Sequence, residues 1–368
     1  NVLRLITKFD TALGKPSTRI ISILEGSSQQ VIDVNDAGLS LAERSRLQKG
    51  LRKNSSSNTL VELCSSDIPH DSNLWFKVFP NLVRLSSEIC LHAVALTREI
   101  VCKRLSHSHN TIAAIAEGNG PKPAQFESSF MASRLNLAPK ISTSSPDIII
   151  EQWKLHLVFA CTTLTNAGST AHLAAPHSSQ VSLHTRKSSK SSTSSSSPEK
   201  IHTASDLFSK VQRMLSVPNA AVRNAAVVGL GATNATLFNT LLQSLQDLVR
   251  ECGQDAKERI ASHQRSLSSP RRSRRTDFLR LELTHLLSHT CHLLKDPAIS
   301  GDEYVLEYMT DYSKHLRLFL SDSEIQGQLD YQKLRTYYCI LTDGLYDCTK
   351  DFKDSSRWMS FQARQATF

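Results

Sequence analysis

Aromatic residues make up only 6% of this 368-residue chain, and none of its eight cysteines falls in a C-x-x-C pair. With aromatics scarce, Leu, Ala and Val supply most of a 40% apolar content, which favours helices over aromatic-rich strands. Scattered cysteines in apolar helical surroundings read as reduced, buried thiols. That excludes a disulfide scaffold and fits a cytosolic or nuclear compartment. Long apolar runs are missing too. The best candidate, residues 147–167, is broken by Glu151, Lys154 and His156, so none reaches the roughly 18 residues of a membrane helix. No secretory signal opens the chain. It begins at Asn1 rather than Met and ends at Phe368 inside a helical pattern, so it is expected to be a piece of a longer protein.

Catalytic signatures are also lacking. There is no G-x-S-x-G elbow, H-E-x-x-H pair or P-loop. Gly229-Leu230-Gly231-Ala232 follows a helical pattern and lacks the third glycine and the lysine of a nucleotide loop, and Gly118-Asn119-Gly120-Pro121 reads as a turn. One helical stretch places His285, His289 and His292 on one face with Glu282 and Asp296. Neutral imidazoles beside a carboxylate can bind zinc, but a straight stripe wraps no more than about two ligands around a tetrahedral ion. A solvated polar face is the preferred reading. No metal, cofactor or catalytic residue is expected, and the chain reads as non-enzymatic.

The net charge is +9, and its distribution decides its meaning. Residues 168–200 carry Arg186, Lys187, Lys190 and Lys200 against Glu199 alone, and residues 263–275 carry Arg265, Arg271, Arg272, Arg274 and Arg275 with no acid. The rest is close to neutral, which argues against a broad nucleic-acid-binding face. Arg271, Arg272, Arg274 and Arg275 suit a solvated or regulatory loop. They also leave open a nuclear-import signal, or a contact for RNA or acidic lipid. No aromatic residue interleaves with them before Phe278, so base stacking is not expected.

Residues 216–249 carry the clearest organisation. Pro218 is expected to open a helix in which Val222, Ala225, Ala226 and Gly229 share a face, with Gly231 ending it. Asn234 is placed to cap the next, whose face holds Leu237, Leu241, Leu242, Leu245 and Leu248. Small residues against large ones let such a pair pack closely. The pattern Pro218…Val222-Arg223-x-Ala225-Ala226-x-x-x-Leu230-Gly231 resembles the second helix of a HEAT repeat.

Further helices are expected at 1–13, 39–51, 71–105 (with a break or kink at Pro80), 126–137 and from Asp147 onward. After the linker, helices are expected at 204–216, 218–230, 234–252, 276–295, 302–320, 326–349 and 355–367. The fold class is all-α, a HEAT/armadillo-like solenoid with disordered Ser-rich insertions. It divides into an N-terminal helical segment (1–167), a disordered Ser-rich basic linker (168–203) and HEAT-like repeats (204–368) with a basic loop at 253–275. Eleven serines between Ser178 and Ser197 support disorder in the linker.

Both basic segments contain His-x-Arg-x-x-Ser: His184-Thr185-Arg186-Lys187-Ser188-Ser189 and His263-Gln264-Arg265-Ser266-Leu267-Ser268. Ser189 and Ser268 are therefore candidate phosphosites, in a pattern that resembles the preference of NDR/LATS-class kinases. A phosphate adds about −1.5 to −2 charge, enough to offset much of either segment's excess.

Two stretches, VPNAAVRNAAVVGLGATNATLFNTLLQSLQ and LRTYYCILTDGLYDCTKDFKDSSRWMSFQARQATF, resemble the central region of the Furry-like cell morphogenesis proteins in their fungal branch. The likeness is best over residues 204–368. It implies a large helical scaffold working with an NDR-class kinase and its Mob co-activator. It also implies support of polarised growth and the cytoskeleton, and residence in the cytoplasm at the cell cortex or growth sites. A nuclear or nucleic-acid-associated repeat protein using the arginine run is the alternative.

Overall fold

A computed structural model describes residues 2–26, 28–32, 39–49, 59–66, 69–118, 145–165, 201–264 and 273–350. The described residues are helical with turns and contain no strand, so the chain is all-α as its composition implied. The first half holds α1 (Val2–Ala12), α2 (Arg19–Gly26), α3 (Ser28–Ile32), α4 (Leu41–Lys49), α5 (Thr59–Ser65), α6 (Pro69–Ile89), α7 (Leu91–Ala116) and α8 (Pro146–Thr163). The second holds α9 (Ala204–Val211), α10 (Ala220–Gly231), α11 (Phe238–Gln264), α12 (Arg274–Thr290), α13 (Pro297–Ser300), α14 (Glu303–Leu320), α15 (Ser323–Gln326) and α16 (Gln332–Thr349). Short 3-10 turns at Gln212–Ser216, Ala235–Leu237, Cys291–Lys295 and Leu329–Tyr331 join several of them.

The helices stack in order. α8 packs on α1, α6 and α7 on one side and on α10 on the other; α10 packs on α12, and α12 on α16. Behind this row, α11 packs on α9, α12 and α14. Helices from both sides of the Ser-rich segment thus share one continuous core. α8 is apolar all round in its second half, where Leu157 through Cys161 are fully buried, as suits a helix flanked on several sides. Phe79, Phe159, Phe208, Phe238 and Phe319 are among the largest fully buried side chains, each stabilising the fold by about 1.5–3 kcal/mol through burial.

α10 is fixed at both ends. Asn219 accepts from the amides of Ala221 and Val222 and sends its own amides to the carbonyls of Ala116 and Ile115 at the end of α7. Asn219, not Pro218, therefore caps this helix, and the helix begins two residues after the proline. At the other end, Thr162 donates to the Ala232 carbonyl and the Asn234 backbone donates to the Cys161 carbonyl, tying the turn to α8. Asn234 caps the following turn through Thr236, as expected.

Pro80 does not break its helix. α6 runs through it, held by the buried Val78, Phe79, Leu82 and Val83, and the break comes at Cys90. α11 continues to Gln264, so residues 253–264, assigned above to a basic loop, are helical. The expected helix at 126–137, the linker disorder and the helix at 355–367 lie outside the described residues. Among the described residues no single helix is long and apolar enough to cross a membrane; the bent pair Ala220–Gly231 and Ala235–Arg259 matches by length and composition alone.

Candidate functional site: a cation-lined groove and two buried charge seams

Where α7 crosses α8 the surface opens into a groove of about 680 Å³. Its rim is Lys103, Arg104 and His107, placed on one stretch of α7 by their spacing of one and three residues. Its floor is apolar: the buried indole of Trp153, flanked by the half-buried Ile100 and Ile149. His107 Nδ1–H donates to the Lys103 carbonyl at 2.6 Å, which fixes that tautomer. His156 lies beneath, and burial together with the Arg104 guanidinium holds it down at about 4, so it is neutral at neutral pH. Among the described residues neither Lys103 nor Arg104 forms an ion pair. Two free cations over an aromatic floor suit a ligand that combines carboxylates with an apolar side chain. The sequence signal was Lys103-Arg104-x-x-His107; the tryptophan 49 to 50 positions further on joins it only through packing.

The histidine stripe is not an open solvated face. His285 stacks on Tyr337 of α16, with ring centroids 4.1 Å apart and planes 6° from parallel, and its Nδ1 lies 3.7 Å from Glu282 Oε2. Lys77 of α6 approaches from 212 positions away and donates to His289 Nε2 at 2.5 Å. Burial, then Lys77 and the neighbouring histidines, push His289 well below its ordinary value, and burial brings Lys77 down to about 8. His289 is thus a neutral acceptor for a lysine ammonium. His292 Nδ1–H donates to the His289 carbonyl at 2.8 Å. The stripe is spent on packing α12 against α6 and α16. Among the described residues no group of three His, Cys, Asp or Glu side chains is arranged to hold a metal ion.

Glu282 belongs to a buried pair. Arg223 Nε donates to Glu282 Oε1 at 3.0 Å, its Nη1 donates to the Val217 and Pro218 carbonyls at 2.8 Å each, and its guanidinium lies 4.0 Å over the Phe278 ring. Arg223, in the repeat-like motif, therefore locks α10 to α12. A second seam joins α11, α12 and α14. There Arg280 sits 3.7 Å over Phe319 and pairs with Asp255 at 2.5 Å and Asp277 at 3.5 Å. Arg259 faces the same ring at 5.7 Å.

Of the residues singled out earlier, Ser189, Ser268, Arg271 and Arg272 lie outside the described residues. Arg274 and Arg275 form the exposed first turn of α12, capped by Ser273, and Arg275 pairs with Glu251 of α11 at 3.2 Å.

No family model and no solved structure matches the chain. It is 26% identical over 388 residues to Cell morphogenesis protein PAG1 of Saccharomyces cerevisiae, a match covering 100% of the chain and 15% of that protein. It is 27% identical over 346 residues to Cell polarity protein mor2 of Schizosaccharomyces pombe, covering 94% of the chain and 15% of that protein. The chain therefore spans about 15% of the length of the curated relatives it matches. Over nearly its whole length the chain is thus similar to two Furry-like cell morphogenesis and polarity proteins, in agreement with the resemblance read from its sequence.

Proposed function

We propose that this chain is a non-catalytic segment of a large scaffold for polarised growth, built as a HEAT/armadillo-type solenoid. The observation that carries this reading is the ordered two-row stack of helices with a cation-lined groove on it; such arrays present extended surfaces for partners. The names of the two relatives, one a morphogenesis and one a polarity protein, support the cellular role. In this reading residues 204–368 form the regular part of the array and residues 1–167 extend it. The partners are an NDR-class kinase and its Mob co-activator, at cytoplasmic growth sites or the cell cortex. Ser189 and Ser268 are the kinase's substrates. The groove receives an acidic, partly apolar segment of the partner, by charge complementarity with Lys103 and Arg104.

Two measurements test it. Incubation with an NDR-class kinase and site mapping is expected to label Ser189 and Ser268; a labelled control substrate with both serines unmodified ends the kinase reading. Immobilised chain is expected to retain the kinase–Mob pair, and Lys103→Glu with Arg104→Glu to abolish retention without lowering the melting temperature. Unchanged retention removes the groove as the docking surface.

A further inference from the structure

Two thiols meet where α16 crosses the end of α12. Cys291 opens the 3-10 turn that follows α12 and is buried, whereas Cys348 in the last turn of α16 is half-buried. The Cys291 thiol donates to the Leu341 carbonyl of α16 at 3.8 Å. The Cys348 thiol also reaches the Cys291 carbonyl at 3.7 Å. The helices are tightly apposed here: a Cβ added at Gly344 would lie 2.9 Å from Cys291 Sγ. Lys295 and Lys350 flank the pair, both bound to Asp347, at 3.5 and 2.7 Å.

The surroundings divide the roles. The neighbouring Cys291 side chain, then Lys295 and Lys350, hold Cys348 below the usual thiol range, while the Cys348 partner and then burial hold Cys291 well above it. Thiolate character and access together select the thiol that oxidants attack, and both fall to Cys348.

We propose that Cys291 and Cys348 are a redox pair that closes to a disulfide under a peroxide, clasping α16 to the end of α12. The Cys348 thiolate attacks one peroxide oxygen, the O–O bond breaks, and Cys348 becomes a sulfenic acid as the other oxygen leaves as hydroxide, which takes up the proton the Cys348 thiol gave up and becomes water. The Cys291 sulfur then attacks the Cys348 sulfur. The S–S bond forms, the S–O bond breaks, and hydroxide leaves as a second water, taking the Cys291 proton. Two thiols are oxidised by two electrons and one hydrogen peroxide is reduced to two waters.

The test treats the full 368-residue chain with hydrogen peroxide, blocks free thiols and maps peptides without reduction. The expected product is a Cys291–Cys348 linked peptide, lost on adding reductant. Cys291→Ser is expected to trap Cys348 as the adduct of a sulfenic-acid probe, and Cys348→Ser to give neither adduct nor link. Where Cys291→Ser fails to fold, alkylation of the unmodified protein replaces it. Cys348, held below the usual thiol range, is then expected to react faster than the more exposed Cys64, whose thiol is held above it. Both thiols remaining free under peroxide, Cys348 linking to another cysteine, or Cys64 alkylating faster would each overturn the proposal.

Discussion

Replacing Gly229 by alanine tests the central contact of the fold. A Cβ at this position would lie 2.6 Å from Leu157 Cβ and 3.0 Å from its Cδ1. Carbon atoms rest about 3.5–4.0 Å apart, so α8 and α10 would have to separate by about 1 Å. Neither Cβ can rotate away, because each is fixed to helix backbone. Overpacking of this kind costs about 1–3 kcal/mol. Replacing a mid-helix glycine returns up to about 1 kcal/mol of propensity. The expected result is a net loss of up to about 2 kcal/mol, seen as a lower urea midpoint by circular dichroism. Gly231→Ala is the control. There the nearest atoms would be those of the His289 side chain at 3.6–3.9 Å, an ordinary contact, so the change is expected to be neutral or mildly stabilising. Leu157→Ala is expected not to rescue Gly229→Ala, since it keeps the Cβ that clashes, whereas Leu157→Gly removes the clash itself. A Gly229→Ala protein as stable as Gly231→Ala would refute the close crossing of α8 and α10.

Two further outcomes follow from the buried charges. His156 is held at about 4 in the fold against 6.5 in the unfolded chain, so the unfolded state binds more protons between those values. Its contribution of about 3 kcal/mol is complete above the unfolded value and is lost as pH falls towards 4. Denaturation midpoints between about pH 7 and pH 4.5 are expected to fall less steeply for His156→Gln, by up to about 1.4 kcal/mol per pH unit; identical slopes contradict this. Arg223→Met is expected to cost about 3–5 kcal/mol, because it strands a buried carboxylate and two carbonyls. The double change with Glu282→Leu is expected to cost clearly less than the two single changes together, and strict additivity would show that the pair is not coupled.

Local signals carried most of the helices. The run Leu237, Leu241, Leu242, Leu245 is fully buried, as its spacing required, and Asn234 caps where its position suggested. Failures came where distant contacts decide. The expected helix stopped at 252, with a basic loop after it. Yet a Cβ added at Gly253 would meet the His315 ring of α14 at 3.4–3.6 Å, and Arg259 beyond it is buried beside Phe319 and Asp255. Tertiary contacts therefore extend α11 against its local propensity. Pro80 survives inside a helix for the same reason, with buried side chains on either side of it. The spacing of His285, His289 and His292 fixed their common face correctly but not what covers it, since Lys77 and Tyr337 come from α6 and α16.

The net-charge argument needs the same refinement. A helical body close to neutral suggested no charged surface outside the loops. Neutrality by count conceals how the charges are sorted. Arg223, Arg280 and Arg259 are buried, and each has a carboxylate within 3.5 Å, so they contribute no external field. Lys103 and Arg104 remain exposed at a concave site, with His156 beneath them kept neutral by burial and by Arg104. A cleft with low-dielectric walls concentrates the field of the charges at its rim. Among the described residues, a concave surface whose charge suits an acidic partner therefore lies in the half of the chain whose sequence looked least distinctive.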